Sequence, residues 1–313
     1  MRRRPLVMFA ALVAVLVSAC ASSSGTSSDT RGGARTTSSV PTATDGEVVT
    51  RTETFVDTER TTEAPNPAPE RTLVTTIRLP EDGGPYPLVV LAHGANGHPR
   101  KFVKLTTAWA EAGYVVAAPA FPNSNDEAPG GIAVGAYTHQ PEDVSFVIDE
   151  VLALAEASEG PLAGRVDARR VGVAGLSFGA ATIYGVTFHS CCRDPRIDAA
   201  IAMAGVLLPY APGEFDLVGV PLLILHGDAD PVLGIELDTD AYARAAPPKI
   251  FVTIHGGGHA EPFEDSLDPA DEMVEAVTTD FWDVYLGGQP DALDRLLTDA
   301  TIPGLTTVQY DAG

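Results

Sequence analysis

The sequence predicts an α/β fold, a mostly parallel central sheet with helices on both faces. Continuous apolar stretches of strand length recur along the chain and end in glycine or a polar loop. Between them lie stretches whose apolar residues follow helical spacing. At one strand-to-helix junction stands "RVGVAGLSFGAATIYG", a serine flanked by glycines two residues away on either side. Fully apolar strands must be covered on both faces, and helices between parallel strands provide that cover.

The elements follow in order. "TLVTTIRLP" (72–80) alternates like a half-exposed strand, and "YPLVVLAHG" (86–94) reads as a buried strand ending in glycine. "FVKLTTAWAEAG" (102–113) is helical and stops at Gly113, and "YVVAAPAF" (114–121) is the next strand. "QPEDVSFVIDEVLALAEAS" (140–158) has Pro141 at the first helical position, with Val144, Val147, Ile148, Val151 and Leu152 on one face. Further strands are expected at 170–176, 197–205, 220–228 and 249–257, and helices at about 178–188, 236–246 and 269–286. No internal repeat is present. Only "VLLPYAPGEFDLVG" (206–219) separates two late strands, too short for a lid domain, so an open site is expected.

The chain has 313 residues, 45% of them hydrophobic and 20% charged, enough for one large domain with a full core. Its net charge of −22, from 42 acidic and 20 basic residues, excludes the basic footprint of a nucleic-acid binder.

The first 46 residues stand apart from the domain. "MRRRPLVMFAALVAVLVSAC" has a basic start and an apolar run from Leu6 to Val17, too short to span a bilayer and suited to an export signal. "VSAC" resembles a bacterial lipoprotein box with Cys20 as the lipidated residue, although Val17 stands where leucine is usual. The alternative is an ordinary secretory signal cleaved near Ala21. Residues 21–46 are rich in Ser, Thr and Gly and lack apolar periodicity, as expected of a flexible tether with a mean span of ~28 Å. Residues 1–20 thus read as a signal peptide, 21–46 as a tether and 47–313 as the domain, held at the outer face of a membrane.

The serine motif carries the chemistry. Gly-x-Ser-x-Gly between a strand and a helix reads as a nucleophile elbow, a turn so tight that only small residues fit two positions before and after the serine. Gly175 and Gly179 meet that demand around Ser177. A serine hydroxyl needs a base, and the base needs an orienting acid. "LLILHGDADPV" supplies Asp228 and Asp230, and "TIHGGGHAEPF" supplies His255 and His259. Asp230 is preferred because it lies deeper in its loop and precedes Pro-Val, with Asp228 left to cap the turn. His259 is preferred because three glycines precede it and let the loop reach back to the serine. The other histidines, His93, His98, His139, His189 and His226, read as structural.

An oxyanion hole requires two backbone N–H donors. One is expected from Phe178, and the other from Ala95 or, as the alternative, Asn96. The Phe178 side chain suits either an acyl-pocket wall or core packing.

Two sites remain open at this point. Cys191 and Cys192 are adjacent, and in an oxidising compartment they form either a vicinal disulfide or two buried thiols. "AEPFEDSLDPADE" (260–272) holds six carboxylates but lacks an EF-hand pattern, so it reads as a solvated approach to a helix rather than a calcium site. Neither a metal nor a cofactor is expected.

The motifs "PYPLVVLAHG", "WAEAGYVVAAPAFP", "GLSFG", "HGDADPV" and "GGGHAEPF" together resemble the α/β-hydrolases. Their order is similar to the branch that includes dienelactone hydrolases, platelet-activating-factor acetylhydrolases, chlorophyllases and cutinase-like polyesterases. "FVDTERTT" resembles the Asp-x-x-Arg segment found before the first strands in that branch, whereas Phe178 departs from the small residue or Met that often follows the serine. The resemblance covers nearly all of 50–290 and implies esterase chemistry with Ser177, Asp230 and His259 as the triad. The expected partners are an ester substrate and, through Cys20, a membrane, with no nucleic acid. The alternatives are an acyltransferase acting on envelope sugars or lipids, and a non-catalytic surface-binding module.

Overall fold

The structure, a computed structural model, describes residues 48–313; the signal segment, Cys20 and the tether lie outside the described residues. Among the described residues nine strands form one sheet in the order β1-β2-β4-β3-β5-β6-β7-β8-β9. The strands are β1 (Val48–Asp57), β2 (Arg71–Pro80), β3 (Tyr86–Ala92), β4 (Val115–Ala120), β5 (Val166–Leu176), β6 (Ile197–Met203), β7 (Leu222–Gly227), β8 (Lys249–Ile254) and β9 (Thr306–Asp311). Strands β3 to β8 run parallel, while β1, β2 and β9 complete the two edges with antiparallel pairings.

Among the described residues six helices cover the sheet: α1 (Val103–Glu111), α2 (Gln140–Glu156), α3 (Phe178–Phe188), α4 (Glu236–Arg244), α5 (Asp271–Tyr285) and α6 (Ala292–Asp299). One face packs Val144, Val147 and Ile148 of α2, Ile183 and Val186 of α3, and Ala241 of α4 against the sheet. The other packs Leu105 and Trp109 of α1, Val274, Val277 and Phe281 of α5, and Leu296 of α6. Every residue of α3 is buried. A helix enclosed on all sides needs no amphipathic stripe, and this one begins immediately after Ser177.

The expected elements all appear, with ends shifted by a few residues, and three more accompany them. One of these, β1, corrects the reading of "FVDTERTT". That segment does not precede the first strand; its Asp57 closes β1. Arg60 binds Asp57 at 2.5 Å and Asp143 at 3.0 Å, and Arg71 grips the same Asp143 through two bonds of 2.5 and 2.7 Å. Arg71 and Asp143 are buried, so this paired charge ties β1 and β2 to α2.

The β6–β7 connection, residues 204–221, contains no helix. The segment after β4 contributes more to the surroundings of α3. A short 3-10 turn, Val134–Thr138, brings Tyr137 edge-on to Phe178 with ring centres 5.8 Å apart.

Candidate active site

Ser177 sits where β5 turns into α3, with φ 56° and ψ −113°. A positive φ is costly for a residue with a side chain and persists only where the surroundings enforce it. Here the enforcement is close packing of backbone. A Cβ on Gly175 would collide with the carbonyl of Gly179, and one on Gly179 would collide with the carbonyl of Ala92 in β3. The Ser177 N–H donates to the Met203 carbonyl at 2.8 Å, which secures the turn from the β6 side.

The strands β7 and β8 bring up the other two groups. Gly227 ends β7, and a Cβ there would strike the Gly257 carbonyl, so the loop carrying His259 can fold directly over the loop carrying Asp230. Ala229 N–H donates to that same Gly257 carbonyl at 3.1 Å. As a result His259 Nε2 lies 2.8 Å from Ser177 Oγ, and His259 Nδ1 lies 2.6 Å from Asp230 Oδ2. The second oxygen of Asp230, Oδ1, accepts the N–H groups of Val232 and Leu233 at 2.7 and 2.9 Å. Burial alone would raise the pKa of this carboxyl. Hydrogen bonds from His226 and His259 outweigh burial and hold it well below the usual carboxylate range.

The other His–Asp candidates meet elsewhere. His255 Nδ1 lies 2.8 Å from Asp228 Oδ2, and its Nε2 faces Thr307 Oγ1 at 2.7 Å on the edge strand β9, so this pair does not reach Ser177. Asp228 also accepts the Gly256 N–H at 2.7 Å, which braces the turn after β8.

Strand β3 ends against the serine: a Cβ on Gly94 would come within 3.4 Å of Ser177 Cβ. In the loop that follows, the Asn96 N–H donates to the Ser124 carbonyl at 2.8 Å and is already engaged. The Ala95 N–H has no acceptor among the described residues, and the Phe178 N–H, first in its helix, has no intrahelical acceptor. Of the two loop alternatives, Ala95 therefore retains a free donor. His93 steadies this loop. Its Nδ1 donates to the Gly94 carbonyl at 2.7 Å and its Nε2 accepts the Phe121 N–H at 3.0 Å. Burial pushes its pKa down to about 4, so the ring is neutral, as that bonding requires.

Phe178 is buried with Ala181, Val206, Leu208 and Leu233, and Ala95, Tyr137 and Val232 pack against this cluster. It is separate from the two clusters that line the sheet, which makes it an apolar wall beside the serine rather than part of the main core. Tyr137 was not anticipated from the sequence. No local pattern signals it, because a turn after β4, far from Phe178 in sequence, brings it against that ring.

Among the described residues, two groups of side chains have metal-ligand character. Asp126 and Glu127 lie near His98, but Arg100 binds both carboxylates at 2.6 and 3.0 Å. His189 lies beside Cys191 and Cys192, which are joined as a disulfide at the far end of α3. The acidic stretch 260–272 forms no such group among the described residues. Its Asp265 accepts the N–H groups of Val103 and Lys104, both at 3.0 Å, at the start of α1, and Asp271 meets Lys104 at 3.3 Å. These carboxylates serve a helix N-terminus and a lysine.

A serine hydroxyl, an imidazole and a buried carboxylate in one hydrogen-bonded line can generate a nucleophile at neutral pH, and two free N–H groups can receive the negative charge that follows. The family comparison agrees with this chemistry. The family model described as "Dienelactone hydrolase family" matches residues 73–284, more than half of the chain. The chain belongs to the dienelactone hydrolase family. Its fold is therefore the α/β-hydrolase fold and it is an esterase-like hydrolase. Among curated proteins, none matches the chain.

Proposed function

We propose that the chain is a serine carboxylic-ester hydrolase that works through an acyl-enzyme. The observation that carries this reading is the continuous line Ser177–His259–Asp230, at 2.8 and 2.6 Å, with Ser177 held at positive φ. His259 Nε2 takes the proton as Ser177 Oγ attacks the ester carbonyl. Asp230 holds the ring so that Nε2 faces the serine, and it stabilises the imidazolium that forms. The N–H groups of Phe178 and Ala95 receive the oxyanion. His259 then protonates the departing alkoxide and activates the water that releases the acid.

The acyl group is lipid-like or polyester-like. The apolar wall of Phe178, Leu208, Leu233 and Tyr137 supports this, as does a β6–β7 connection without an inserted helix. The cellular place rests on sequence alone. Cys20 carries lipid and the tether holds the domain at the outer face of a bacterial membrane; one acyl chain anchors only marginally, so more than one is needed.

Turnover of a series of chromogenic esters graded in acyl length, with products analysed in the presence of glycerol and sugar acceptors, tests the reading. It predicts free acid as the product and faster turnover as the acyl chain grows. Acyl adducts on the acceptor as the main product would make the protein an acyltransferase. Detergent partitioning tests the anchor: the native protein enters the detergent phase, and Cys20→Ser leaves it aqueous or unprocessed.

A further inference from the structure

Behind the site lies a second buried His–carboxylate pair that the reaction above does not use. His226 stands in β7, one residue before its end, and is fully buried. Its Nδ1 lies 2.8 Å from Asp238 Oδ2. Its Nε2 lies 2.9 Å from the Leu233 carbonyl and 3.2 Å from Asp230 Oδ2. All three neighbours are acceptors. A neutral imidazole carries one N–H and would turn a lone pair toward a carboxylate or a carbonyl at one of these positions. Both ring nitrogens must donate, so the ring is a cation.

Asp238, in the first turn of α4, is equally buried and accepts at both oxygens. Oδ1 takes the Tyr184 hydroxyl of α3 at 2.6 Å, and Oδ2 takes the Gly205 N–H at 2.6 Å as well as His226. Tyr184 is enclosed and its phenol is raised well above the ordinary value, so it remains a donor. Burial opposes the charge on His226, but its bonds to Asp230 and Asp238 win and push its pKa up to about 10.

We propose that His226, held as a cation by Asp238 and Tyr184, is a positioning residue: it fixes Asp230 Oδ2 opposite His259 Nδ1 and keeps that carboxylate ionised within the protein. The proposal rests on the reading of Ser177, His259 and Asp230 given above. Asp230 Oδ1 is already bound to two N–H groups of its own loop. At 3.2 Å His226 faces the other oxygen from behind as its counter-charge, while its Nε2–H goes to the Leu233 carbonyl and so fixes the loop that carries the acid. Three elements, β7, α3 and α4, thus converge on the orientation of one carboxylate.

The test compares the wild-type protein with His226→Gln, which removes the cation and keeps an amide donor. Phosphonate titration counts functional sites, so that kcat is read per site even if some protein misfolds. The expected result is a fall of at least ~10-fold in kcat per site, KM within ~2-fold, and an acid limb of kcat/KM displaced upward by ~1 pH unit. Tyr184→Phe, which removes only the hydroxyl donor to Asp238, should give a smaller change of the same kind, ~2–5-fold in kcat, and decides the matter if His226→Gln yields no folded protein. Nitrogen-15 resonances of His226 in the wild-type protein should show both ring nitrogens protonated at pH 8. A neutral His226 at that pH, or variants that lose only thermal stability while kcat per site and the acid limb stay at wild-type values, would overturn the proposal. If the wild-type protein neither hydrolyses esters nor labels at Ser177 while His226 is cationic, the hydrolase reading of this site has failed and the positioning role with it. If Ser177 labels and the variants are kinetically normal, the positioning role alone has failed.

Discussion

Two His–Asp pairs stand side by side at the carboxyl edge of the sheet, and only one faces Ser177. Both draw their aspartate from the loop after β7 and their histidine from the loop after β8. The aspartates are two residues apart and the histidines four. In Asp228–His255 the side chains are 38% and 40% exposed, and the far nitrogen of the ring meets Thr307 on an edge strand. In Asp230–His259 they are 0% and 15% exposed, and the far nitrogen meets Ser177 Oγ. The same chemical pair is thus a solvated brace in one place and the core of a candidate active site in the other. The difference lies in what the second ring nitrogen touches and in how little water reaches the carboxylate. Water screens the outer pair, whereas enclosure strengthens the inner one.

Paired substitutions break or sharpen this contrast. The largest expected difference is between the histidines. His259→Ala should reduce ester turnover by ~10³-fold or more, because it removes the base. His255→Ala should leave turnover within ~2-fold, since the ring lies off the reaction path. Steady-state kinetics on one chromogenic ester checks both.

The aspartates come next. Asp230→Asn should cost ~10²–10⁴-fold in kcat by favouring the wrong tautomer of His259, while Asp228→Asn should leave most activity. If the effects are reversed, the acid has been assigned to the wrong aspartate although the mechanism survives.

The pH dependence of stability is a smaller effect, and the sign differs between groups. Hydrogen bonds from His255 and Gly256 hold Asp228 below its ordinary value. Its contribution is therefore present above the unfolded carboxylate pKa and fades as the pH falls through the depressed value. As an exposed pair it amounts to at most about 1 kcal/mol. His226 behaves oppositely. Raised to about 10, it contributes fully below the ordinary histidine value of 6.5, and the contribution is lost as the pH rises toward 10. Melting curves between pH 7 and 10 should fall less steeply in His226→Gln than in the wild-type protein.

The parallel strands β3–β8 and helices α1–α5 are legible in the sequence because each needs a long apolar run or a clear helical face. The additional elements lack that signal. In "VVTRTETFVD" and "TTVQYD" polar residues interrupt the apolar ones, as an edge strand with one solvated side allows, and α6 is only eight residues long. The residues that meet at the serine were readable for a different reason: strand ends, glycines and chain order constrain Ser177, Asp230 and His259 locally. Nothing local joins His226 to Asp238 and Tyr184. They come from β7, α4 and α3, and only the sheet order brings them together. One signal was available in principle, since an ionisable residue inside the apolar run "PLLILHG" must find a buried partner.

The central claim is that Ser177 is the nucleophile prepared by the inner pair. Incubating the wild-type protein with a fluorophosphonate probe and locating the adduct by peptide mass spectrometry tests it most directly. The account predicts one stoichiometric adduct on Ser177, abolished by Ser177→Ala and strongly slowed by His259→Ala. An unlabelled Ser177 in folded wild-type protein, or labelling that is indifferent to His259, would contradict it.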